Sequence, residues 1–290
     1  MELLQTTLFL GVTLGLVYAL VGAGFVVIYR TSGYVSFAQG DIATVGLFVG
    51  YFAYEAGLPY WWTVPLVIVT CAVLAGLIGR FVVIPLERFG ALSAVLATIG
   101  VGLSIQGVEA LTVGTTARAF PSPGTEILFR IGPVGMSTAD VVTVGVCVLL
   151  FIALGLFFKV TKIGMAMRAA NDNPLAANHV GLSSTNLKLL SWVIAGVLAG
   201  VTGLAVAPIY ALYPGAVNLL LVYGFATIVL GGFESIVGAL IAGIVLGVLG
   251  NLVAAYLNPN LVTFAVYLVV LLVLLFRPNG LLGRRPLVRV

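Results

Sequence analysis

Charged side chains are scarce in this sequence of 290 residues. Lysine, arginine, aspartate and glutamate make up 8% of it, against 61% for hydrophobic residues, whereas a soluble domain averages roughly 25% charged residues. No soluble fold hides so much apolar surface, so we interpret the chain as a polytopic membrane protein. Its net charge of +4 comes from few charges, and this composition does not indicate nucleic-acid binding.

Groups that commonly carry catalysis or bind metals are also rare. The chain has one histidine, His179, and two cysteines, Cys71 and Cys147. Both cysteines lie inside apolar runs without metal-ligand spacing, so we expect buried structural thiols, no metal and no cofactor. The sequence contains no GxxxxGK[ST] phosphate-binding loop. It also contains no nucleophile–base arrangement and no haem attachment motif, so we do not expect an enzyme.

Long apolar runs make up most of the chain. A helix needs about 20 mostly apolar residues to cross a bilayer. We predict an all-α, polytopic transmembrane helix bundle with eight to nine hydrophobic segments, some broken or re-entrant. The N-terminus lacks a basic region and a cleavage site, so it is predicted to be a retained first helix. Gly11-x-x-x-Gly15 and Gly196-x-x-x-Gly200 favour close helix packing. The runs are Leu4–Tyr29, Phe37–Tyr54, Trp62–Val83, Leu92–Val113, Thr138–Phe158, Leu189–Tyr210, Leu219–Leu230, Ile236–Tyr256 and Leu261–Phe276.

The distribution of basic residues predicts an orientation. If the polar segment 159–188 is cytoplasmic and all nine runs cross, five crossings precede the segment and four follow it. Only Arg118 and Arg130 of the 13 basic residues then lie outside, which is a strong positive-inside bias. This arrangement puts the N-terminus outside. Leu219–Leu230 is too short to cross alone, so eight crossings, with both termini on one side, remain an alternative.

Two glycine-interrupted entries to apolar helices are candidates for a translocation path. Discontinuous helices in corresponding halves of a transporter often mark its binding site. Gly40–Val45 weakly resembles Gly224–Val229, which suggests a possible inverted repeat. Ser36 and Gln39 have the spacing of a capping box. The candidate residues are Phe37, Gln39, Gly40 and Asp41 in the first entry, and Gly231, Gly232, Phe233 and Glu234 in the second.

Each polar residue in these apolar runs has a structural interpretation beside the functional one. An acid within a span, such as Asp41, is a functional hypothesis by default, but a helix N-terminus near the cytoplasmic end also accommodates it. Gln39 and Gln106 suit either a polar solute or another helix, and we favour the helix. Glu109 is expected near the outer end of its helix, in contact with water. Glu234 is expected to cap the helix that follows it.

The segment 159–188 is the longest polar stretch. Good helix formers run from Ile163 to Ala170, and Asn173 followed by Pro174 suits the start of a second short helix. Gly181 is placed to end that helix, and the Ser-Ser-Thr sequence at 183–185 offers a cap for the next one. The segment is therefore either an ordinary capped loop between membrane helices or a docking element for a cytoplasmic protein.

Four motifs, in order, resemble those of a known family: the permease subunits of bacterial branched-chain amino acid ABC importers, most closely the LivH-type subunit. The resemblance covers nearly the whole chain. Gln39 stands where the family usually has histidine, and Glu234 where glycine is common. The motifs are Val35–Asp41, the spaced residues from Gly164 to Gly181, Leu230–Ala239 and Phe276–Gly283.

The resemblance implies a single permease domain over residues 1–290 in the bacterial inner membrane. It implies a second, LivM-type permease, two ATP-binding cassette subunits and a periplasmic solute-binding protein as partners, with ATP hydrolysis on the cassettes. The loop at 159–188 would then be the cytoplasmic coupling element. Its coupling residues would be Gly164, Arg168, Ala169, Asp172, Asn173, Pro174, Ala177 and Gly181.

Branched-chain or related amino acids are the implied substrates, and two further classes of function stay open. A urea or short-amide ABC permease would use the same machinery with another cargo. A self-sufficient secondary transporter would rely on Asp41 or Glu109 for ion coupling, and its uptake would survive loss of the ATPases. A membrane scaffold without any conducted solute would show no uptake defect when deleted.

Overall fold

The computed structural model describes residues 2–121, 124, 127–131, 134–172 and 182–283. The described chain is a set of helices with one antiparallel hairpin, β1 (Ile127–Ile131) and β2 (Val134–Ser137). The predicted all-α membrane bundle is confirmed, and the hairpin is a small addition to it. The helices are α1 (Glu2–Ser32), α2 (Gln39–Glu55), α3 (Tyr60–Glu87), α4 (Ala91–Thr112), α5 (Thr138–Val160), α6 (Lys162–Asp172), α7 (Ser184–Val206), α8 (Asn218–Gly231), α9 (Ile236–Tyr256) and α10 (Val262–Phe276).

Seven of the described helices are long and apolar enough to cross a membrane: α1, α3, α4, α5, α7, α9 and the 18-residue helical stretch Pro259–Phe276 that contains α10. Every one of the nine predicted apolar runs forms a helix. The run at Leu219–Leu230 lies in α8, which has 14 residues and therefore extends about 21 Å. That length is less than the roughly 30 Å of a bilayer core, as the sequence indicated.

Serine side chains begin two of the long helices. Ser183 accepts a hydrogen bond from the backbone N–H of Asn186 at the start of α7, as predicted. Ser235 accepts one from Gly238 at the start of α9, so the expectation that Glu234 caps this helix is wrong. The capping box predicted at Ser36 and Gln39 is also wrong, because α2 starts without a side-chain cap.

The described chain divides into two compact units, and the first comprises Met1–Val26, Glu126–Gly155 and Val222–Val290. In this unit α1 and α9 approach closely through glycines. A Cβ added at Gly15 would lie 2.7 Å from the backbone oxygen of Gly243, and one added at Gly11 would lie 2.7 Å from the Cα of Val248. The predicted close packing through Gly11 and Gly15 is therefore confirmed.

The second unit comprises Val27–Thr125 and Leu156–Leu221. Its core is formed by α2, α3 and α7, which pack against one another. A Cβ at Gly196 would lie 2.5 Å from the carbonyl oxygen of Cys71, so the Gly196 and Gly200 pair also serves helix packing. Cys71 and Cys147 are both buried and free, as expected of structural thiols.

Candidate functional site

A buried polar cluster lies in the second unit, where the start of α2 meets the middle of α4. Asp41, in the first turn of α2, is 2% exposed. Gln106 on α4 donates a hydrogen bond from Nε2 to Oδ1 of Asp41 at 2.9 Å. The side chain of Asn218, at the start of α8, also interacts with the Asp41 carboxylate. The hydrogen bond from Gln106 therefore joins α4 to α2, as expected of a glutamine that bonds another helix.

Asp41 lies near the middle of α4, not beside one of its ends. A Cβ added to Gly102, the twelfth residue of α4, would collide with Oδ2 of Asp41. The backbone N–H of Phe37 donates to Oγ1 of Thr98 at 3.0 Å, one turn away on the same helix. Asp41 thus lies in the first turn of α2, the helix N-terminus that was expected to accommodate it, and the linker between α1 and α2 packs against the middle of α4.

Glu109 is the second acid of this cluster. It lies two turns beyond Gly102 on α4, is 5% exposed, and is close enough to Asp41 for their charges to interact. The expectation that water solvates it is wrong. The backbone of Gly215 faces its carboxylate, yet neither oxygen forms a hydrogen bond of normal geometry within the described part of the chain.

The remaining residues of the first predicted entry pack around this cluster. Gln39 is 4% exposed, and neither of its side-chain polar atoms has a hydrogen-bond partner among the described residues. Gly40 leaves no room for a side chain, since a Cβ there would lie 2.8 Å from the side chain of Leu221 and 2.9 Å from Oδ1 of Asn218. The structure thus brings Gln39, Gly40 and Asp41 together with Gln106 and Asn218.

An apolar groove of about 810 Å³ runs beside the cluster, between α2, α3 and α4. Its wall is almost entirely aliphatic and aromatic, and Glu109 is the acid within it. The lining residues are Val45, Phe48, Val49 and Phe52 from α2, Leu74, Ile78, Val82 and Leu86 from α3, and Ala97, Gly100, Val101, Ser104, Ile105, Val108, Glu109, Thr112 and Val113 from or just after α4.

The second predicted entry, in the first unit, is a tight turn between α8 and α9. Gly232 has a φ of +103°, which favours glycine. The backbone N–H groups of Leu281 and Leu282 donate to the carbonyls of Leu230 and Gly231 at 2.8 and 3.1 Å. The ring of Phe233 lies edge-on to that of Phe225, with 6.2 Å between the ring centroids. Glu234 is exposed. The family-like motifs Leu230–Ala239 and Phe276–Gly283 therefore pack on each other.

The predicted coupling segment begins with the amphipathic helix α6. Gly164, Met167 and Ala170 face inward and are buried, whereas Arg168 and Ala169 are exposed. Oγ1 of Thr161 accepts a hydrogen bond from the N–H of Gly164 at 3.0 Å at the helix start. The helix ends at Asp172. The predicted coupling residues Asn173, Pro174, Ala177 and Gly181, and with them the predicted second short helix, lie outside the described residues.

An ion pair that sequence reasoning missed joins the end of α3 to the start of α7. Nζ of Lys188 contacts Oε1 of Glu87. Nearby, in the linker between α1 and α2, burial and then the charge of Glu87 raise the pKa of Tyr34 to about 12, so its phenol is neutral at physiological pH. These residues are far apart in sequence, and no local pattern pairs them.

Comparison with known proteins identifies the family. Residues 7–275 match the family described as branched-chain amino acid transport system, permease component. The chain belongs to this family. It is therefore a multi-pass membrane protein and a permease component of a transport system, as the four motifs indicated.

Relatives match along most of their length. The high-affinity branched-chain amino acid permease protein LivH of Salmonella typhimurium is 28% identical over 96% of this chain and 94% of its own. BraD of Pseudomonas aeruginosa is 28% identical over 94% of both chains. A probable LivH of Methanocaldococcus jannaschii is 31% identical over 91% of this chain and 88% of its own.

One solved structure shows the same fold. PsaBC from Streptococcus pneumoniae, in complex with Fab, superimposes with a TM-score of 0.53 over 96% of this chain and 93% of that chain, at 15% sequence identity. At this identity the likeness concerns the fold. The family assignment rests on the sequence matches.

Proposed function

We propose that this chain is the permease subunit of an ABC importer that carries branched-chain or related amino acids across the inner membrane. The match of residues 7–275 to the permease family is the observation that supports this proposal. Relatives named as branched-chain amino acid permeases cover over nine-tenths of the chain. ATP hydrolysis takes place on two partner cassettes, a LivM-type permease is the second membrane subunit, and a periplasmic protein delivers the solute.

The geometry of α6 supports a docking role for the segment 159–188. The helix presents Lys162 and Arg168 to solvent next to the exposed apolar side chains of Ile163 and Met165. Its opposite face packs on α7. A force applied to the exposed face of α6 therefore reaches a membrane-spanning helix directly, and the Lys188–Glu87 ion pair links the start of that helix to α3.

Reversal of charge at Arg168 tests this docking role. Arg168 is exposed, so we expect Arg168→Glu to insert normally into the membrane, to co-purify less with the cassettes and to take up substrate more slowly. Arg88→Glu is the matched control, because Arg88 is also exposed and is predicted to lie on the same side, between α3 and α4. Unchanged co-purification and uptake in Arg168→Glu would contradict the proposed coupling element, and so would an equal loss in both variants.

The buried carboxyls of Asp41 and Glu109 favour a second candidate, a self-sufficient secondary transporter, because intramembrane acids often couple ion movement to transport. Uptake of labelled leucine separates the candidates. Cells lacking the chain, with and without its restoration, are measured before and after ATP depletion, with urea, short amides and other amino acids as competitors. ATP-dependent leucine uptake supports the importer. ATP-dependent uptake of urea or amides alone keeps the importer and assigns it another substrate. Uptake that survives ATP depletion with the ion gradient intact supports the secondary transporter.

A further inference from the structure

Asp41 and Glu109 are buried acids for which the described chain supplies no basic partner. The acid Glu87 is paired with Lys188, but no lysine or arginine within the described ranges forms an ion pair with either Asp41 or Glu109. Arg118, the basic residue that follows α4, hydrogen-bonds the carbonyl of Val113 at 2.9 Å and faces the rings of Tyr51 and Phe52 instead. Buried charges without a partner are costly, so these two acids favour a cation from elsewhere.

The cluster offers mainly hydrogen-bond acceptors. Both oxygens of Glu109 and Oδ1 of Asn218 are buried without a partner among the described residues. A Cβ at Gly215 would lie 3.2 Å from Nδ2 of Asn218 and 3.3 Å from Oε1 of Gln106, so both amides meet at this glycine. A primary ammonium group carries a positive charge and three donors. It therefore complements the cluster in both charge and hydrogen bonding.

The groove beside Glu109 complements the apolar part of such a ligand. Its volume of about 810 Å³ falls within the roughly 300–1,000 Å³ of small-molecule sites. Glu109 lines this groove beside the aliphatic side chains of Val101, Ile105 and Val108, and its two carboxylate oxygens are buried directly behind that apolar wall. An acid at the edge of an apolar groove matches an amino acid whose ammonium group and branched side chain are only a few bonds apart.

We propose that Asp41 and Glu109, with the amides of Gln106 and Asn218, bind the ammonium group of the transported amino acid while the groove between α2, α3 and α4 receives its side chain. This proposal rests on the proposed function and names the recognition chemistry of that same permease. An inorganic monovalent cation shares the positive charge but lacks both the N–H donors and the apolar part, so it would occupy the acids and leave the groove unused.

Neutralisation of Glu109 tests the charged half of the site. In the assembled transporter, Glu109→Gln keeps the shape of the side chain and removes its charge. We expect the maximal rate of leucine uptake to fall about tenfold or more, since hydrogen bonds to charged groups are the strong ones. Glu55→Gln is the matched control, because Glu55 is an exposed acid at the end of α2. Both variants are compared at equal amounts of assembled complex.

Filling the groove tests the apolar half without changing any charge. Val101→Trp places a large ring in the groove wall, whereas Leu103→Trp, two residues away, is 63% exposed and does not line the groove. We expect Val101→Trp to reduce leucine uptake at least fivefold and Leu103→Trp to leave it unchanged. This pair keeps the proposal testable even if Glu109→Gln assembles poorly, because Val101 is partly exposed and borders open space in the groove.

The outcomes separate the proposal from the function on which it rests. If Glu109→Gln and Val101→Trp both take up leucine at the wild-type rate, the binding site is overturned and the importer remains. A wild-type chain that carries only uncharged amides overturns the binding site and the amino acid substrate, since an amide has no ammonium group, and keeps the importer with another cargo. Replacing sodium and potassium by N-methylglucamine should leave wild-type uptake unchanged. If this replacement instead lowers wild-type leucine uptake tenfold and does not lower uptake by Glu109→Gln, the acids bind an inorganic cation and the proposal is overturned.

Discussion

At the scale of single residues, Asp41 has the most demanding position in the chain. Burying a carboxylate away from water is costly unless it is hydrogen-bonded, and Asp41 is 2% exposed. The hydrogen bond from Gln106 at 2.9 Å offsets part of that cost. The glycine at position 102 supplies the space, because any side chain there would meet the carboxylate.

Removal of the Gln106 amide is therefore expected to destabilise the protein. Gln106→Leu leaves the Asp41 carboxylate without its donor, and hydrogen bonds to charged groups contribute roughly 1.5–3 kcal/mol. We expect a lower unfolding temperature of the purified protein in detergent. Ser104→Ala is the control on the same helix, because its exposed hydroxyl bonds only the carbonyl of Gly100. Equal unfolding temperatures for the two variants would show that Gln106 does not support Asp41.

At the scale of helices, glycine positions decide how closely neighbours pack. Gly11 and Gly15 of α1 lie against α9, and Gly196 and Gly200 of α7 lie against α3. Without a hydrophobic driving force between helices in lipid, such close contact supplies the dispersion energy of association. Both small-x-x-x-small pairs were evident from the sequence, but their partner helices were not.

Substitution at Gly15 tests this packing. A Cβ there would lie 2.7 Å from the oxygen of Gly243 and from the Cα of Ile244, and neither backbone atom moves without shifting a helix. We expect Gly15→Ala to destabilise the protein by roughly 1–3 kcal/mol, measured as a lower unfolding temperature in detergent. Gly145→Ala in α5 meets nothing within 4 Å and should be neutral or stabilising, since alanine favours helices. A neutral Gly15→Ala would argue against the close approach.

At the scale of the whole molecule, the orientation across the membrane remains a prediction from the basic residues. Placing 159–188 in the cytoplasm puts the turn between α2 and α3 outside, because an odd number of crossings separates them. Both regions carry exposed charged residues, Glu55 and Lys162. The native cysteines Cys71 and Cys147 are buried, so they contribute little background to a thiol-labelling experiment.

Single-cysteine labelling checks this orientation in intact cells. We expect Glu55→Cys to react with a membrane-impermeant maleimide from outside, and Lys162→Cys to react only after the membrane is permeabilised. The reason is the positive-inside distribution, in which Arg118 and Arg130 are the external exceptions. Labelling of Lys162→Cys in intact cells would reverse the orientation. Labelling of both sites in intact cells would require a different number of crossings between them.

The helices were predictable from the sequence because a chain in lipid must satisfy its backbone hydrogen bonds within each segment. Each apolar run therefore becomes a helix whatever its neighbours are, and the Ser183 cap of α7 is equally local. Local patterns failed at the capping box of Ser36 and Gln39, where packing of the linker on α4 overrode the spacing. They failed again at Glu234, because Ser235 next to it is the better cap.

The sequence by itself determined the class of the protein, its helical segments and its family, since composition and motifs are carried by neighbouring residues. Only the tertiary structure decided that Asp41 meets Gln106, 65 residues away along the chain. It also decided that Glu109 is buried beside an apolar groove and that Lys188 pairs with Glu87. Such contacts depend on which helices pack together and at what depth, and a period of 3.6 residues along one helix carries no information about its neighbour.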